Sequence, residues 1–583
     1  MRHGGKMAAV SAAMACGALL VGAGPAGAVP AASASQPWGA AVQVPGLALL
    51  PHYGGSVQTR AVSCPSPGHC SAVGNYDDGS GGGNVFTAAE VNGKWQAARE
   101  LPVPPADDAV NVHVDALSCP SAGNCGASGF YDDTSGDRLA FVANEVHGTW
   151  QDLLEVLSTD FLTDENAEAL SISCPSAGNC AIGGDYVDGA GHRQAFVGSE
   201  RNGSWEASLE VPGTAALNGA GAAEVNSVSC ASAGNCAAGG YYIGGDGNRQ
   251  AFVVSEKNNT WGNAKEVAGG LNTNGFAEVQ SISCPTAGNC TAGGLYDAKT
   301  HGGLAESFVV SDKNGTWGAA QEVAGKLNGG GDGSVSSVSC KAAGYCTAGG
   351  YYLTAFTKGK YQAYVVTETK GVWGGAGQVP GTGALNAGGE VDNVLVSCVS
   401  AGNCAVAGDY EDKSHHTQAF ITGSAGGRWA VAEAIPGSIG LNKGGDAAPT
   451  SVSCASATSC AVVGGYDATP SFALGFVASG ALPQTSRTAL TLSAGSVTFG
   501  NEQRERITVT VSPQRSGKPS GTVTVKTGST VLCAFGLNSA GKGSCALSAK
   551  RLAVGKHSLV ASYAASVGYT GSGSAAKVVT VVR

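Results

Sequence analysis

Residues 227–261 read SVSCASAGNCAAGGYYIGGDGNRQAFVVSEKNNTW. A cysteine pair, Cys230 and Cys236, brackets five residues; Tyr242 follows six residues after the second cysteine, and Trp261 stands nine residues after the aromatic Phe252. The same unit recurs at Cys64/Cys70, Cys119/Cys125, Cys174/Cys180, Cys284/Cys290, Cys340/Cys346, Cys398/Cys404 and Cys454/Cys460, the last without its Trp. Successive pairs are 54 to 58 residues apart. That is the length of one β-propeller blade or one solenoid turn, so the chain is read as a repeat protein before any motif is weighed.

The residues around the fixed positions resolve four strands. Ser227-Val228-Ser229 leads into Cys230 as a first short strand, and Cys236 to Tyr242 makes a second. Ala251 to Ser255 is apolar enough to be buried on both faces, and Trp261 opens a fourth strand that ends near Val267. Third and fourth strands are joined by two-residue turns: Asn92-Gly93, Asn202-Gly203, Asn314-Gly315 and Gly426-Gly427, with His147-Gly148, Asn258-Asn259 and Lys370-Gly371 in the same slot. Asn-Gly suits a type I′ turn because both central residues need positive φ. Four antiparallel strands per repeat describe a propeller blade.

The tryptophans decide between ring and solenoid. Trp38, Trp95, Trp150, Trp205, Trp261, Trp317, Trp373 and Trp429 all lie in the repeat register, yet Trp38 has no cysteine unit before it and the last unit, ending at Phe476-Val477-Ala478, has no Trp after it. The repeat region therefore starts with a spare fourth strand, Trp38 to Val44, and ends with a blade that lacks one. Pairing the two removes the exposed edges and closes an eight-bladed ring over 35–480. A linear solenoid gives no reason for the complementary deficit.

Ahead of the ring stand Arg2 and Lys6, an apolar stretch from Met7 to Gly24, and small-residue cleavage sites at Ala26-Gly27-Ala28 and Ala32-Ser33-Ala34. This is read as a secretory signal peptide over 1–34 rather than a spanning helix. Cys16 has Ala13 where a lipoprotein signal prefers Leu, so it is expected to leave with the leader. Eighteen of the 19 cysteines then remain, and the expected product is a secreted, extracellular monomer with nine local disulfides. Each repeat pair brackets a turn-forming cluster such as Pro175-Ser176-Ala177-Gly178-Asn179, so each bridge is expected to clip its own turn. A loop this short gains about 2 kcal/mol per bridge. Zinc is disfavoured because no pair carries a fixed His partner. Loss of Arg2 and Lys6 takes the net charge from −10 to −12. With 13% charged residues and no basic run, neither nucleic acid nor an anionic membrane is expected as partner.

The glycine doublets Gly183-Gly184, Gly239-Gly240, Gly293-Gly294, Gly349-Gly350 and Gly464-Gly465, each before an aromatic pair or Tyr and with a Trp downstream in all but the last, resemble the kelch-type repeat in part. Three units carry a lone Gly74, Gly129 or Gly408, and the paired cysteines are foreign to kelch. The whole repeat is similar to the Cys-rich repeats of secreted actinobacterial proteins of unassigned activity, a resemblance that implies a fold and not a reaction. At Ala481-Leu482-Pro483-Gln484-Thr485-Ser486 the repeat gives way to a linker, taken as 481–488. Over 489–583, Val497 to Gly500, Ile507 to Pro513, Gly521 to Val525, Gly555 to Leu559 with Tyr563, and Val578 to Val582 are similar in order and spacing to the bacterial Ig-like repeat domain. That resemblance implies a β-sandwich used as spacer or adhesive module. Cys533 and Cys545 are expected to bridge the strands flanking Asn538-Ser539-Ala540-Gly541. With no sortase-type motif or apolar tail in view, release is expected rather than covalent anchoring.

Within the repeats the Cys-to-Tyr and aromatic-to-Trp distances are fixed, whereas the second-to-third and fourth-to-first connections vary in length. Both variable connections emerge at one end of the blades, which makes that face the candidate site. Its charged residues Asp133, Arg138, Asp188, His192, Arg193 and Arg249 are the candidate ligand contacts, set against the plainer reading that the acids form turns and the arginines are solvated. Calcium lacks an Asp-x-Asp-x-Asp-Gly loop, and no metal or cofactor is assigned. The Tyr set from Tyr76 to Tyr466, identical in every repeat, fits packing better than sugar stacking. An enzyme breaks repeat symmetry with a cluster of unusual acids, bases or nucleophiles; here only His192-Arg193 and His415-His416 stand out, and the Ser-x-Asp-x-Gly-x-x-Trp box of sialidases is missing. The function expected is non-enzymatic binding or adhesion to an extracellular glycan or other polymer, with a propeller-type polysaccharide hydrolase or lyase as the alternative. N-terminal sequencing of the exported protein is expected to begin at Val29 or Ser35; an intact Met1 to Ser35 segment overturns the leader assignment.

Overall fold

A computed structural model describes residues 37–583 except 52, 80–81, 104–108, 157–165, 299–303 and 516; the leader lies outside the described residues. Eight four- or five-stranded antiparallel sheets follow one another in chain order, each holding one cysteine unit. The fourth sheet shows the plan: Ala223–Ser232, Asn235–Ile243 and Arg249–Lys257 pair in sequence, then Thr260–Trp261 and Lys265–Val267 pair with the third strand. The fourth strand is thus split, where the sequence suggested one strand. Between its halves Ala264 leaves the ladder and donates its N–H to the Pro212 carbonyl of the preceding connection at 2.7 Å. Ala98 to Pro45, Ala432 to Pro380 and Ala41 to Pro436 repeat the contact at 2.6–2.7 Å. The break exchanges one intra-sheet bond for an inter-sheet bond.

Ring closure takes the form the tryptophans implied. Val42–Gln43 pairs with Phe472–Gly480 in the register Val42↔Val477 and Gln43↔Phe476, and Trp38 bridges Gly480. The eighth sheet packs on the first: Cys64 N–H donates to Ser453 Oγ at 3.0 Å and Thr450 Oγ1 to the Thr59 carbonyl at 2.7 Å. Trp38 is 2% exposed.

The repeated residues explain the sheets. Phe86, Phe141, Phe196, Phe252, Phe308, Tyr364, Phe420 and Phe476 are fully buried at the middle of the third strands. Each pairs across to a glycine, Gly74, Gly129, Gly184, Gly240, Gly294, Gly350, Gly408 or Gly464. A Cβ on Gly240 would collide with the Glu224 carbonyl, so this glycine is the one that each repeat keeps, and the lone glycines of three units are this residue. The tyrosines lie buried one step along, and Tyr76, Tyr242 and Tyr296 reach a glutamate in the fourth strand of their own sheet, as Tyr242 Oη does to Glu266 at 2.7 Å. All seven short turns between third and fourth strands have positive φ at both central residues.

Eight of the nine disulfides close the cysteine hairpins, with Cα separations of 3.9–4.1 Å: Cys64–Cys70, Cys119–Cys125, Cys174–Cys180, Cys230–Cys236, Cys284–Cys290, Cys340–Cys346, Cys398–Cys404 and Cys454–Cys460. The pairing is as expected, each bridge closing its own hairpin, and the cystines also pack between sheets. Cys290, Cys346, Cys404 and Cys460 are buried members of the hydrophobic core, because the second cysteine of each pair opens a strand whose face is covered by a neighbouring sheet. Thr291 Oγ1 of the fifth sheet lies 3.4 Å from Cys346 Sγ of the sixth, and Thr347 Oγ1 of the sixth lies 3.4 Å from Cys404 Sγ of the seventh. The Cys290 carbonyl accepts from Asp312 N–H at 2.7 Å, and Cys460 packs in the cluster that joins the last sheet to the first. These cystines are therefore packing groups between sheets as well as hairpin bridges.

After residue 480 the chain forms a sandwich. One sheet holds Ser486–Leu492, Arg506–Pro513 and Lys542–Ala546; the other holds Ser496–Thr498, Lys577–Val582, Gly555–Tyr563, Thr522–Thr527 and Thr530–Gly536. The first of these strands starts inside the stretch read as linker. Cys533–Cys545 joins the two strands flanking the Asn538 turn, and these belong to opposite sheets, so this bridge is a clamp across the sandwich. No helix among the described residues is long and apolar enough to cross a membrane.

Deleting residues 37–53 removes the closing strand and buried Trp38. The folded protein is expected to lose about 3–5 kcal/mol in denaturant melts; an unchanged midpoint contradicts the closed ring.

Candidate functional site

The two ends of the sheets differ in how they are held. At one end, the cysteine turn and the third-to-fourth turn of each of the first seven sheets are tied together, as in Gly203 N–H to the Gly178 carbonyl at 2.8 Å and Gly427 N–H to the Gly402 carbonyl at 2.8 Å. At the other end emerge the variable connections. Buried asparagines organise five of these: Asn218 Nδ2 donates to the Arg193 carbonyl at 3.1 Å while its Oδ1 accepts from Ala222 N–H at 2.7 Å, and Asn272, Asn328, Asn386 and Asn442 repeat the arrangement.

The six candidate residues of the variable face are spread over the second, third and fourth sheets. Arg138, Arg193 and Arg249 hold the same position at the start of the third strand, and each reaches a glutamate on the first strand of the next sheet. Arg138 pairs with Glu168, Arg193 with Glu224 at 3.0 Å and Arg249 with Glu278 at 2.6 Å. Arg138 also pairs with Asp132 at 3.0 Å and lies 4.0 Å over the Phe130 ring; Arg249 lies 3.8 Å over Tyr241. Arg193 adds Asp185 at 3.2 Å, but burial outweighs the guanidinium and pushes that carboxyl up to about 7. Asp133 accepts from the N–H groups of Ser135 and Asp137, and Asp188 from those of Ala190 and His192, so both cap their own loops. His192 Nδ1 lies 3.6 Å from Asp188. The acids form turns, as the plainer reading had it, and the arginines strap neighbouring sheets together.

A different feature breaks the symmetry on the opposite, short-turn face. Directly across from the Trp in six sheets stands an acid: Glu90, Glu145, Glu200, Glu256, Asp312 or Glu368. All six are buried and burial raises the pKa of each. In two sheets a serine of the preceding sheet bridges the pair, whereas Trp373 Nε1 has no acceptor although Ser311 stands at that position. Trp95 Nε1 donates to Ser479 Oγ at 3.0 Å, which donates to Glu90 at 2.6 Å; Trp261, Ser199 and Glu256 repeat this, and Trp317 donates to Ser255. Between the first and second sheets the serine position is Ala89, and between the second and third it is Asn144. Asn144 Nδ2 reaches Glu200 Oε1 at 2.6 Å but leaves Trp205 Nε1 without an acceptor, and Glu145 and Glu200 each keep one Oε2 without a donor.

Clefts open at these two interfaces, of about 290 Å³ between the first and second sheets and about 680 Å³ between the second and third. The larger is lined by Asn124, Asn144, Gln151 and Asn202 with Trp205 and Leu154, and by Glu145 and Glu200. Its size lies within the range of small-ligand sites. Amide side chains beside an indole suit hydroxyl groups and an apolar sugar face. The cystines of the later sheets take no part: Cys290, Cys346, Cys404 and Cys460 line neither cleft, and their role is structural. The sequence carried only a weak signal for the site: Ala89 and Asn144 stand where Ser199, Ser255, Ser311 and Ser479 stand in four other sheets, but the sixth and seventh sheets also depart, with Thr367 and Gly423.

Residues 490–582 match the family of bacterial Ig-like domains (group 3). Among solved structures the chain is similar to a protein of unknown function from Dyadobacter fermentans, at 9% identity over 76% of this chain and 98% of that one, TM-score 0.33. It is also similar to a PL25 ulvan lyase, at 11% identity over 64% and 92%, TM-score 0.37. A third likeness is to the β-propeller domain of the Trilobed protease from Pyrococcus furiosus, at 7% identity over 65% and 98%, TM-score 0.35. No curated protein sequence matches the chain.

Asp185 at about 7, Glu433 at about 7 and Asp409 at about 6 are raised chiefly by burial. A carboxyl raised in the folded state binds its proton more tightly there than in the unfolded chain, so its stabilising share is complete below the unfolded value and lost as pH rises through 6 to 7. Buried His113 is lowered by desolvation, so it opposes this as pH falls through the ordinary histidine range, one group against three. Thermal melts are expected to show higher stability at about pH 5.5 than at about pH 8. Asp185→Asn is expected to flatten the difference, and a melting temperature that rises with pH overturns the assignment.

Proposed function

We propose that the protein is a secreted, non-enzymatic binding protein for an extracellular glycan, with the cleft between the second and third sheets as its site. The cleft itself carries the reading, as a pocket of ligand size whose amides and half-buried Trp205 lie where the inter-sheet serine strut is missing. Cysteines joined in nine bridges support an oxidising, extracytoplasmic location. The Ig-like domain serves as a spacer or adhesive module beside the ring. The alternative, a polysaccharide hydrolase or lyase, draws on the raised carboxyls of Glu145 and Glu200. The same acid recurs opposite Trp in six sheets, which favours a packing role over a catalytic pair. The charged row Asp133, Arg138, Asp188, His192, Arg193 and Arg249 is the competing location for polymer contact.

Pull-down of the exported protein on insoluble polysaccharides, followed by titration with soluble oligomers, tests both locations. Gln151→Ala with Leu154→Ala changes two exposed cleft residues and is expected to weaken binding about tenfold with little effect on folding. Asp133→Ala with His192→Ala is expected to leave binding within about twofold. The reverse result moves the site to the variable face, and release of new reducing or unsaturated sugar ends turns the reading to the enzyme.

A further inference from the structure

The acids opposite the tryptophans do not share one electrostatic fate. Arg201 of the third sheet stands 3.6 Å from Glu256 of the fourth, Lys265 offsets part of the burial at the carboxyl of Asp312, and Lys313 of the fifth sheet does the same for Glu368 of the sixth. Arg201 and Lys313 both immediately follow an acid of their own sheet. At that position the first and second sheets carry Val91 and Val146. Glu145 and Glu200, the acids that these valines leave bare, are 9% and 3% exposed.

The larger cleft inherits this deficit. Its ionisable lining consists of Glu145, Asp152, Glu200 and His147, with no Lys or Arg among the lining residues. Arg201, next in sequence to Glu200, is turned to the following interface, where it pairs with Glu206 at 3.2 Å and donates to the Asn259 carbonyl at 2.8 Å. The smaller cleft contains Arg99, and a third cleft of about 180 Å³ between the fifth and sixth sheets contains Lys313. Of these three inter-sheet clefts, the largest is also the one whose lining has no arginine or lysine.

We infer that the cleft between the second and third sheets selects a glycan bearing free amino groups, whose ammonium takes the place that Arg201 and Lys313 occupy at later interfaces, and that it turns away polyuronates. The inference rests on the glycan-binding reading above. The geometry supplies the cation's environment from two sheets, with Glu145 and Asp152 from one side and Glu200 from the other. A uronate placed there meets like charge with no cation to offset it.

Calorimetric titration of the exported full chain with a glucosamine hexamer, its N-acetylated counterpart, polygalacturonate and a lysine hexapeptide tests this. The glucosamine hexamer is expected to bind about tenfold tighter than the N-acetylated one, with no binding of polygalacturonate. Val146→Arg restores the cation that the third sheet has; Val146 is 45% exposed, so the change is compatible with folding, and it is expected to abolish the preference. Equal binding of the two hexamers, tighter polygalacturonate, or a preference unchanged in V146R overturns the inference and leaves glycan binding standing. Binding of the lysine hexapeptide alone, or of no probe, overturns the glycan reading with it.

Discussion

Each cysteine unit begins with the dipeptide Ser-Cys, and that dipeptide joins the sheets into a ring. The cysteines face each other across the hairpin at a position where the ladder does not use the N–H of the first. That N–H is free to leave its own sheet, and in all eight units it donates at 2.9–3.0 Å to the Oγ of the serine one unit earlier: Cys119 to Ser63, Cys174 to Ser118, and so on to Cys64, which reaches Ser453 and completes the circle. One short-range constraint, the non-bonded cystine pair, thereby supplies the donor for the long-range one. The disulfides close hairpins, and the hydroxyls between them set the spacing of neighbouring inner strands.

This belt shows why some of the architecture was legible in the chain and some was not. Anything fixed within one repeat could be read from spacing: the Asn-Gly turns, the buried Phe, the four-strand plan and the deficit that Trp38 fills. Whatever depends on the neighbouring repeat left only a faint trace. Ser before Cys in every unit is plain once its acceptor role is known, yet in isolation it is a small polar residue beside a turn. The split fourth strand is of the same kind, since Ala264 leaves its ladder for a carbonyl some fifty residues earlier. So is the burial of Cys346 and Cys404 against threonines of the preceding sheet, which spacing within a repeat does not reveal. The Cys533–Cys545 pairing was evident from its turn, but not that the turn passes between sheets.

The candidate site follows the same logic with less success. Charge drew attention to the variable face, where Arg138, Arg193 and Arg249 are conspicuous, and the structure commits them to glutamates of the next sheet. The cleft on the other face is marked by a missing hydroxyl at Ala89 and Asn144, and a missing group is hard to notice in a sequence whose repeats differ at most positions. In a near-symmetric ring, specificity arises where a repeated contact is omitted, because every retained contact is used for cohesion.

The strand Val42–Gln43 belongs to the last sheet although it precedes the first. A chain synthesised from its N-terminus produces this strand before any of the surfaces it will cover. Seven sheets can stack as they emerge, each on a neighbour already made. The closing contact spans more than four hundred residues and has to wait for Phe472–Gly480. Until then both ends of the stack expose sheet faces of the kind that recruit other chains. The local cystines, each formed within a few residues, hold every hairpin in its final shape during that interval, so oxidation can finish long before the circle does.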